Sequence, residues 1–248
     1  LIDAGGRCLE IAEVSFHAVI SVVLLIFCGG LATGDIPGVK TRLGGGPEPD
    51  HLLPVDPYPG ESGNIYRKAL YEKLGLDRFH VARMLITPSD QGESVVDLVG
   101  DVKSFDFKSS KSFSLVCVKA DQSIWESFPQ NNDEGIRKPV GTRVSKAEVP
   151  NELAVKLFGL WERTILRSRY SKDWAPGEDG TYVEFFIQIG HGMIWNPKDR
   201  KSPLLAVELG QSLMAYCEAE PAQRDGKLDE VRTKAELLEK YLDEHPLH

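Results

Sequence analysis

The sequence predicts an α+β fold, an antiparallel sheet with two or three C-terminal helices packed on it. Runs of β-branched and aromatic residues separated by short turn-like clusters occupy the middle of the chain. A later segment, Thr181–Ile189, repeats with period two. The long stretches with apolar residues at steps of three and four come mostly last. Strands first and helices later favour α+β over a parallel doubly wound sheet, in which the two would alternate.

Taken from the N-terminus, Val14–Ala32 reads VSFHAVISVVLLIFCGGLA, without a formal charge and most apolar from Ala18 to Phe27. That core matches the h-region of a signal peptide, about 7–15 residues, better than a spanning helix of about 20. Gly30, Ala32 and Gly34 supply the small residues that cleavage requires, although Glu10 and Glu13 stand where positive charge is usual. Residues 1–34 are expected to be a signal peptide or membrane anchor, with the protein exported and periplasmic or membrane-anchored. Residues 35–64 hold Pro37, Pro47, Pro49, Pro54, Pro57 and Pro59 and the run Gly44-Gly45-Gly46, and read as a Pro/Gly-rich tether. Residues 65–248 are expected to form a single α+β domain ending in a charged amphipathic helix.

Within that domain a short helix is expected over Ile65–Leu74, stopped by Gly75. Strands are expected at Phe79–Ile86, Glu93–Val99 and Ser112–Lys119, with an edge strand in Arg137–Val149 limited by Pro139 and Gly141. Pro150 opens a helix whose face is Leu153, Leu157, Leu160, Trp161, Ile165 and Leu166. In Thr181–Ile189 the residues Val183, Phe185, Ile187 and Ile189 share one side, and Gly190-His191-Gly192 suits a tight turn into a return strand. Two more helices follow, from about Pro203 to Glu218 and from Lys227 to Glu244. The second carries a narrow stripe of Leu228, Val231, Ala235, Leu238 and Leu242 after a hinge at Pro221–Gly226, and is expected to dock on its own domain.

The chain has 42% hydrophobic and 27% charged residues and a formal charge of −8. Such an acidic chain argues against nucleic acid as a partner, since neutralising phosphates takes clustered Lys and Arg. Cys8, Cys28, Cys117 and Cys217 form no C-x-x-C pair, so neither a zinc site nor any other metal or cofactor is expected; Cys117 and Cys217 are either a disulfide or two buried thiols. The familiar hydrolase, phosphate-loop and dinucleotide motifs are missing.

Single residues still suggest chemistry. His191 between two glycines is a candidate acid or base, with Glu184 or Asp179 placed to orient the ring, which would suit a hydrolase. A solvated turn histidine is the simpler reading. Arg163 and Arg167, four apart on one helix, are candidates for binding an anion, though ion pairing on the helix would use them equally well. Cys117 lies in an apolar run that favours an inert thiol.

The segments Leu157-Phe158-Gly159-Leu160-Trp161-Glu162-Arg163 through Arg169-Tyr170, then Gly177–Tyr182, then Met193-Ile194-Trp195-Asn196-Pro197, with the helix that follows, cover about 70 residues of the second half. This W-E-R…R-Y, D-G-T-Y and W-N-P pattern resembles one in uncharacterised bacterial exported proteins. The resemblance implies bacterial origin and export, and no known activity goes with it. Together these features give the expectation of a non-catalytic bacterial envelope protein, periplasmic or on the surface, binding a protein or cell-envelope component in the manner of an inhibitor or immunity protein. The alternative is the hydrolase built on His191. Membrane contact is expected only through the N-terminal segment.

Overall fold

The computed structural model describes residues 48–54, 61–101, 110–127, 139–171 and 180–246. The apolar N-terminal segment and Asp179 lie outside them. Among the described residues, β1 (Ala82–Pro88), β2 (Ser94–Gly100), β3 (Phe113–Ala120), β4 (Thr142–Val149), β5 (Thr181–Ile187) and β6 (Gly190–Trp195) form one antiparallel sheet in the order β4-β3-β2-β1-β5-β6. The helices are α1 (Glu61–Leu74), α2 (Asn151–Ile165), α3 (Ser202–Glu218) and α4 (Arg224–Glu244). The fold is α+β, as the order of strands and helices predicts.

The chain lays down β1 to β4 as a meander. Pro150 (φ −54°, ψ 135°) then ends the extended run, its carbonyl accepting the Ala154 N–H to start α2. After α2, β5 returns to the free side of β1, and β6 pairs outside it. β1 is thus central, and strands β1 to β3 are buried on both faces, which is why they read as nearly continuous apolar runs.

Alternation along the strands divides the core in two. Met84, Val96, Leu98, Leu115, Cys117, Val183 and Phe185 face α2, α3 and α4. Leu85, Val95, Val116 and Val118 face α1, whose Tyr66, Leu70 and Leu74 cover them. Trp161 is fully buried in the larger core, its ring 6.0 Å from that of Phe185 in an edge-on arrangement. Gly75, at φ +65°, ends α1.

The last helix docks on its own domain. Val231, Ala235, Leu238 and Leu242 are buried in the core shared with α2 and α3. Lys156–Glu239 and Arg163–Asp243, both 2.6 Å, fasten α4 to α2, and Lys234–Glu208 at 2.7 Å fastens it to α3. The expected hinge at Pro221–Gly226 is instead a 3-10 turn over Pro221–Gln223 running straight into α4, with Gly226 inside the helix. Proline is pre-set for a first helical turn, where its missing N–H costs nothing.

Two further expectations change. Part of the Pro/Gly-rich 35–64 stretch belongs to the folded body: Leu52 is fully buried, Leu53 and Met193 exchange both backbone hydrogen bonds at 2.7 Å, and α1 already begins at Glu61. The β5–β6 turn falls at Gln188-Ile189 rather than at Gly190-His191-Gly192, because Ile187 already pairs with Gly190 and His191 with Phe186. Ile189 is consequently outside the sheet and 68% exposed.

Both sheet edges are occupied. Leu53 closes the β6 side, and on β4 the outward carbonyls of Glu148 and Lys146 accept the Tyr216 hydroxyl at 2.6 Å and the Arg224 guanidinium at 3.4 Å. Such capping withholds the edge from pairing with another strand.

The α1 side of the sheet also carries buried charge. Glu93, fully buried, accepts the Tyr66 hydroxyl at 2.8 Å and the backbone N–H groups of Ile124 and Trp125 at 2.6 and 3.2 Å. Asp97 accepts from Arg83 and Arg78. His80 lies beside them, its Nδ1 3.1 Å from the Arg78 carbonyl oxygen, and burial, then the Arg83 charge, lowers its pKa; Asp97 opposes this weakly. The unfolded chain therefore takes up this proton first as pH falls. His80 adds stability that is complete above the ordinary imidazole value of about 6.5 and is lost below it. The melting temperature of His80→Gln should consequently fall less than that of the parent between about pH 7.5 and about pH 5. Parallel melting curves at the two pH values check this, and equal falls would place the proton uptake elsewhere.

Candidate functional site

Of the residues that suggest hydrolysis, Glu184 and His191 are among the described residues, and no hydrogen bond joins them. Glu184 and His191 lie on the same sheet face, but β5–β6 register sets His191 opposite Phe186 and Glu184 opposite Met193. The His191 ring is exposed and packs edge-on against Phe186 at 5.9 Å. Glu184 is buried with the Arg67 guanidinium of α1 3.7 Å away. A carboxylate engaged by an arginine under α1 is not placed to orient His191. The flanking glycines serve packing: a Cβ on Gly192 would lie 2.9 Å from the Leu52 Cβ and closer still to Ser168.

Cys117 and Cys217 are free thiols, both buried. Cys217 donates weakly to the Leu115 carbonyl at 3.8 Å. Interaction with Cys217, then burial, pushes the Cys117 thiol far up, so it stays protonated and is a poor nucleophile. Among the described residues no group of three His, Cys, Asp or Glu is placed to hold a metal ion, and no helix is long and apolar enough to cross a membrane.

Arg163 and Arg167 do come together with something. Arg163 in the last turn of α2 and Arg167 in the turn just after it face the end of α4, where a cavity of about 350 Å³ is lined by Arg163, Leu166, Arg167, Leu242, Asp243 and Pro246. Arg163 pairs with Asp243 at 2.6 Å, and Arg167 donates to the Leu242 carbonyl at 2.8 Å. Arg169, just beyond, pairs with Asp50 at 3.1 Å. Asp50 in turn accepts from His51 at 2.7 Å, and this bond, with help from Arg169, holds its carboxyl below the usual range despite partial burial.

The same end gathers apolar surface. Tyr170 (72% exposed), Ile189 (68%) and Leu166 (60%) are the most exposed large apolar side chains among the described residues. The β5–β6 turn that carries Ile189 sits on the end of α2: a Cβ on Gly190 would lie 3.3 Å from Ile165 Cγ2, and the Arg169 N–H donates to the Leu52 carbonyl beside Gly192. The arginine pair was legible as an i, i+4 spacing, whereas Ile189 was hidden by its apparent place in the inward set of β5.

The described parts of two motif segments, residues 180–182 and 193–197, meet in space. Tyr182 is opposite Trp195, the Asn196 N–H donates to the Thr181 carbonyl at 2.8 Å, and Gly180 lies against the Trp195 ring, where a Cβ would be 2.7 Å from Nε1. Asn196 takes a positive φ of 45° as the chain leaves β6. These contacts secure the β5–β6 pair.

Comparison with protein-family models, with curated proteins and with solved structures gave no match to this chain.

Proposed function

We propose that this chain is a non-catalytic, exported bacterial envelope protein of inhibitor or immunity type, binding a protein partner through the end formed by residues 163–170 and the β5–β6 turn. The reading is carried by Leu166, exposed at the cavity that Arg163 and Arg167 line, and by Tyr170 and Ile189, exposed on the segment after α2 and on the turn packed against its end. Contiguous exposed apolar surface is uncommon on a protein without a partner, and tyrosine and arginine are the residues that most often anchor interfaces. Export rests on the Ala18–Phe27 segment, and bacterial origin on the resemblance of the W-E-R…R-Y, D-G-T-Y and W-N-P pattern. Charge adds orientation. The chain is acidic overall, at −8, while this end presents arginines, so a partner with an acidic patch is drawn to this end and repelled elsewhere.

The hydrolase alternative lacks comparable support, with His191 against Phe186 and Glu184 beside Arg67. The test is capture from the envelope of the producing cell by the parent and by a Leu166→Asp, Ile189→Asp variant. Both positions are exposed, so the variant should melt like the parent. The parent is expected to retain a stoichiometric protein that the variant loses. A parent that retains none, or a variant that retains the same protein equally, overturns the reading.

A further inference from the structure

The cavity between the ends of α2 and α4 has an uneven charge. Arg163 has the Asp243 carboxylate at 2.6 Å, and Arg169 has that of Asp50 at 3.1 Å. Arg167, between them in sequence, reaches only a backbone oxygen, that of Leu242. Burial and then the Arg163 charge weaken its hold on its proton, with Asp50 only partly offsetting them. Among the described residues Arg167 is thus the arginine of these three that has no carboxylate partner. Guanidinium presents five donors in a planar fork, and one Arg167 nitrogen is committed to Leu242. The remainder of the fork suits the two oxygens of a carboxylate.

The surroundings select among anions. Asp243 lines the same cavity, and both helices end here, bringing the negative ends of their dipoles. All three repel any anion, a doubly charged phosphate more than a singly charged carboxylate, so the one cation of Arg167 favours a carboxylate over phosphate. Leu166, Leu242 and Pro246 make the rest of the lining apolar, and Ile189 extends that surface outward. We infer that this cavity receives a Glu or Asp side chain of the protein partner, its carboxylate held by Arg167 and its aliphatic sequence neighbours lying on Leu166 and Ile189. This rests on the binding role proposed above and names the chemistry its partner must present.

The test titrates the full chain, labelled with ¹⁵N, with the peptide acetyl-Ala-Leu-Glu-Leu-Ala-amide, its Gln counterpart, and inorganic phosphate, following the arginine Nε–H signals. The Glu peptide should shift the Arg167 signal saturably. The Gln peptide and phosphate should bind at least about tenfold more weakly, the loss expected for one charged hydrogen-bonded contact. Arg167→Gln should abolish the response. Arg167→Lys, which keeps the charge without the fork, should weaken it while melting like the parent, and so separates recognition from any loss of the tie to α4. Equal response to both peptides, tighter binding of phosphate, or no response to the Glu peptide overturns the inference. Partner capture keeps the two readings apart: a partner retained by Arg167→Gln but lost by Leu166→Asp, Ile189→Asp leaves the binding surface standing and removes the carboxylate contact.

Discussion

Removal of residues 225–248 is expected to lower the melting temperature of the monomer sharply, or to abolish cooperative unfolding. The deletion takes away Val231, Leu238 and Leu242, all fully or almost fully buried, and Ala235 beside them. Burying a large aliphatic side chain contributes about 1.5–3 kcal/mol, so the three together contribute about 5–9 kcal/mol. A domain of this kind is stable by only about 5–15 kcal/mol in all. The loss on the opposite side is as important: α2 and α3 would expose the core faces that α4 now covers. The salt bridges of α4 to Lys156, Arg163 and Glu208 are partly exposed and add little beyond fixing its register. Thermal melts and analytical ultracentrifugation of the two lengths check the result. An unchanged melting temperature accompanied by loss of a dimer or of partner binding would assign α4 to an interface instead.

That helix also marks how far the sequence reaches. Its stripe at Leu228, Val231, Ala235, Leu238 and Leu242 was plain, and so was the need for a surface to cover it, because two heptads do not sustain a helix alone. Leu228 proves only partly buried, at the margin of the contact. What the pattern lacked was the partner surface, since the faces of α2 and α3 lie 60 or more positions upstream in part and only their three-dimensional crossing reveals the match. The strands were legible for a related reason: β1 to β3 are buried on both faces, so their composition is determined by burial and hardly by register.

Register is where the sequence misled. Val183, Phe185, Ile187 and Ile189 look like one inward face, yet the turn at Gln188-Ile189 cuts the series after Ile187 and puts Ile189 on the surface. Period-two alternation has no mark for where a strand stops, and of the glycines that seemed to supply it, Gly192 is required by Leu52 and Ser168 pressing on β6, while Gly190 lies close to Ile165. The Pro-rich segment misled in the opposite sense. Proline content argues against a strand ladder, but the single exchange of hydrogen bonds between Leu53 and Met193 needs only one free N–H, and the buried run His51-Leu52-Leu53 contains no proline. At the candidate site, Arg163 and Arg167 were visible as a spacing, and Asp243 and Leu242, which give the cavity its character, were not.

Asp97→Ala is expected to cost about 3–5 kcal/mol, the range found when one member of a buried ion pair is removed. Asp97 is fully buried and Arg83 nearly so, at 4% exposure. Arg83 grips the carboxylate twice, Nε to Oδ1 at 2.6 Å and Nη2 to Oδ2 at 3.1 Å, and Arg78 adds Nε to Oδ2 at 3.0 Å. The remaining donors cap the end of α1, from Arg78 to the Leu74 carbonyl at 3.1 Å and from Arg83 to the Leu76 carbonyl at 2.6 Å. Asp97 thus positions the two arginines that satisfy the last carbonyls of that helix, and without it Arg83 is left charged and uncompensated in the core. Arg78, 30% exposed, can turn to water. Replacing the buried pair with apolar residues, Arg83→Met with Asp97→Leu, should cost less than Asp97→Ala alone, because the desolvation of both charges disappears together. Urea midpoints of the parent, Asp97→Ala and the double variant measure the difference. A midpoint for Asp97→Ala equal to that of the parent would mean that water reaches Arg83, and a double variant worse than the single one would mean that the capping of α1, rather than the ion pair, is what the site supplies.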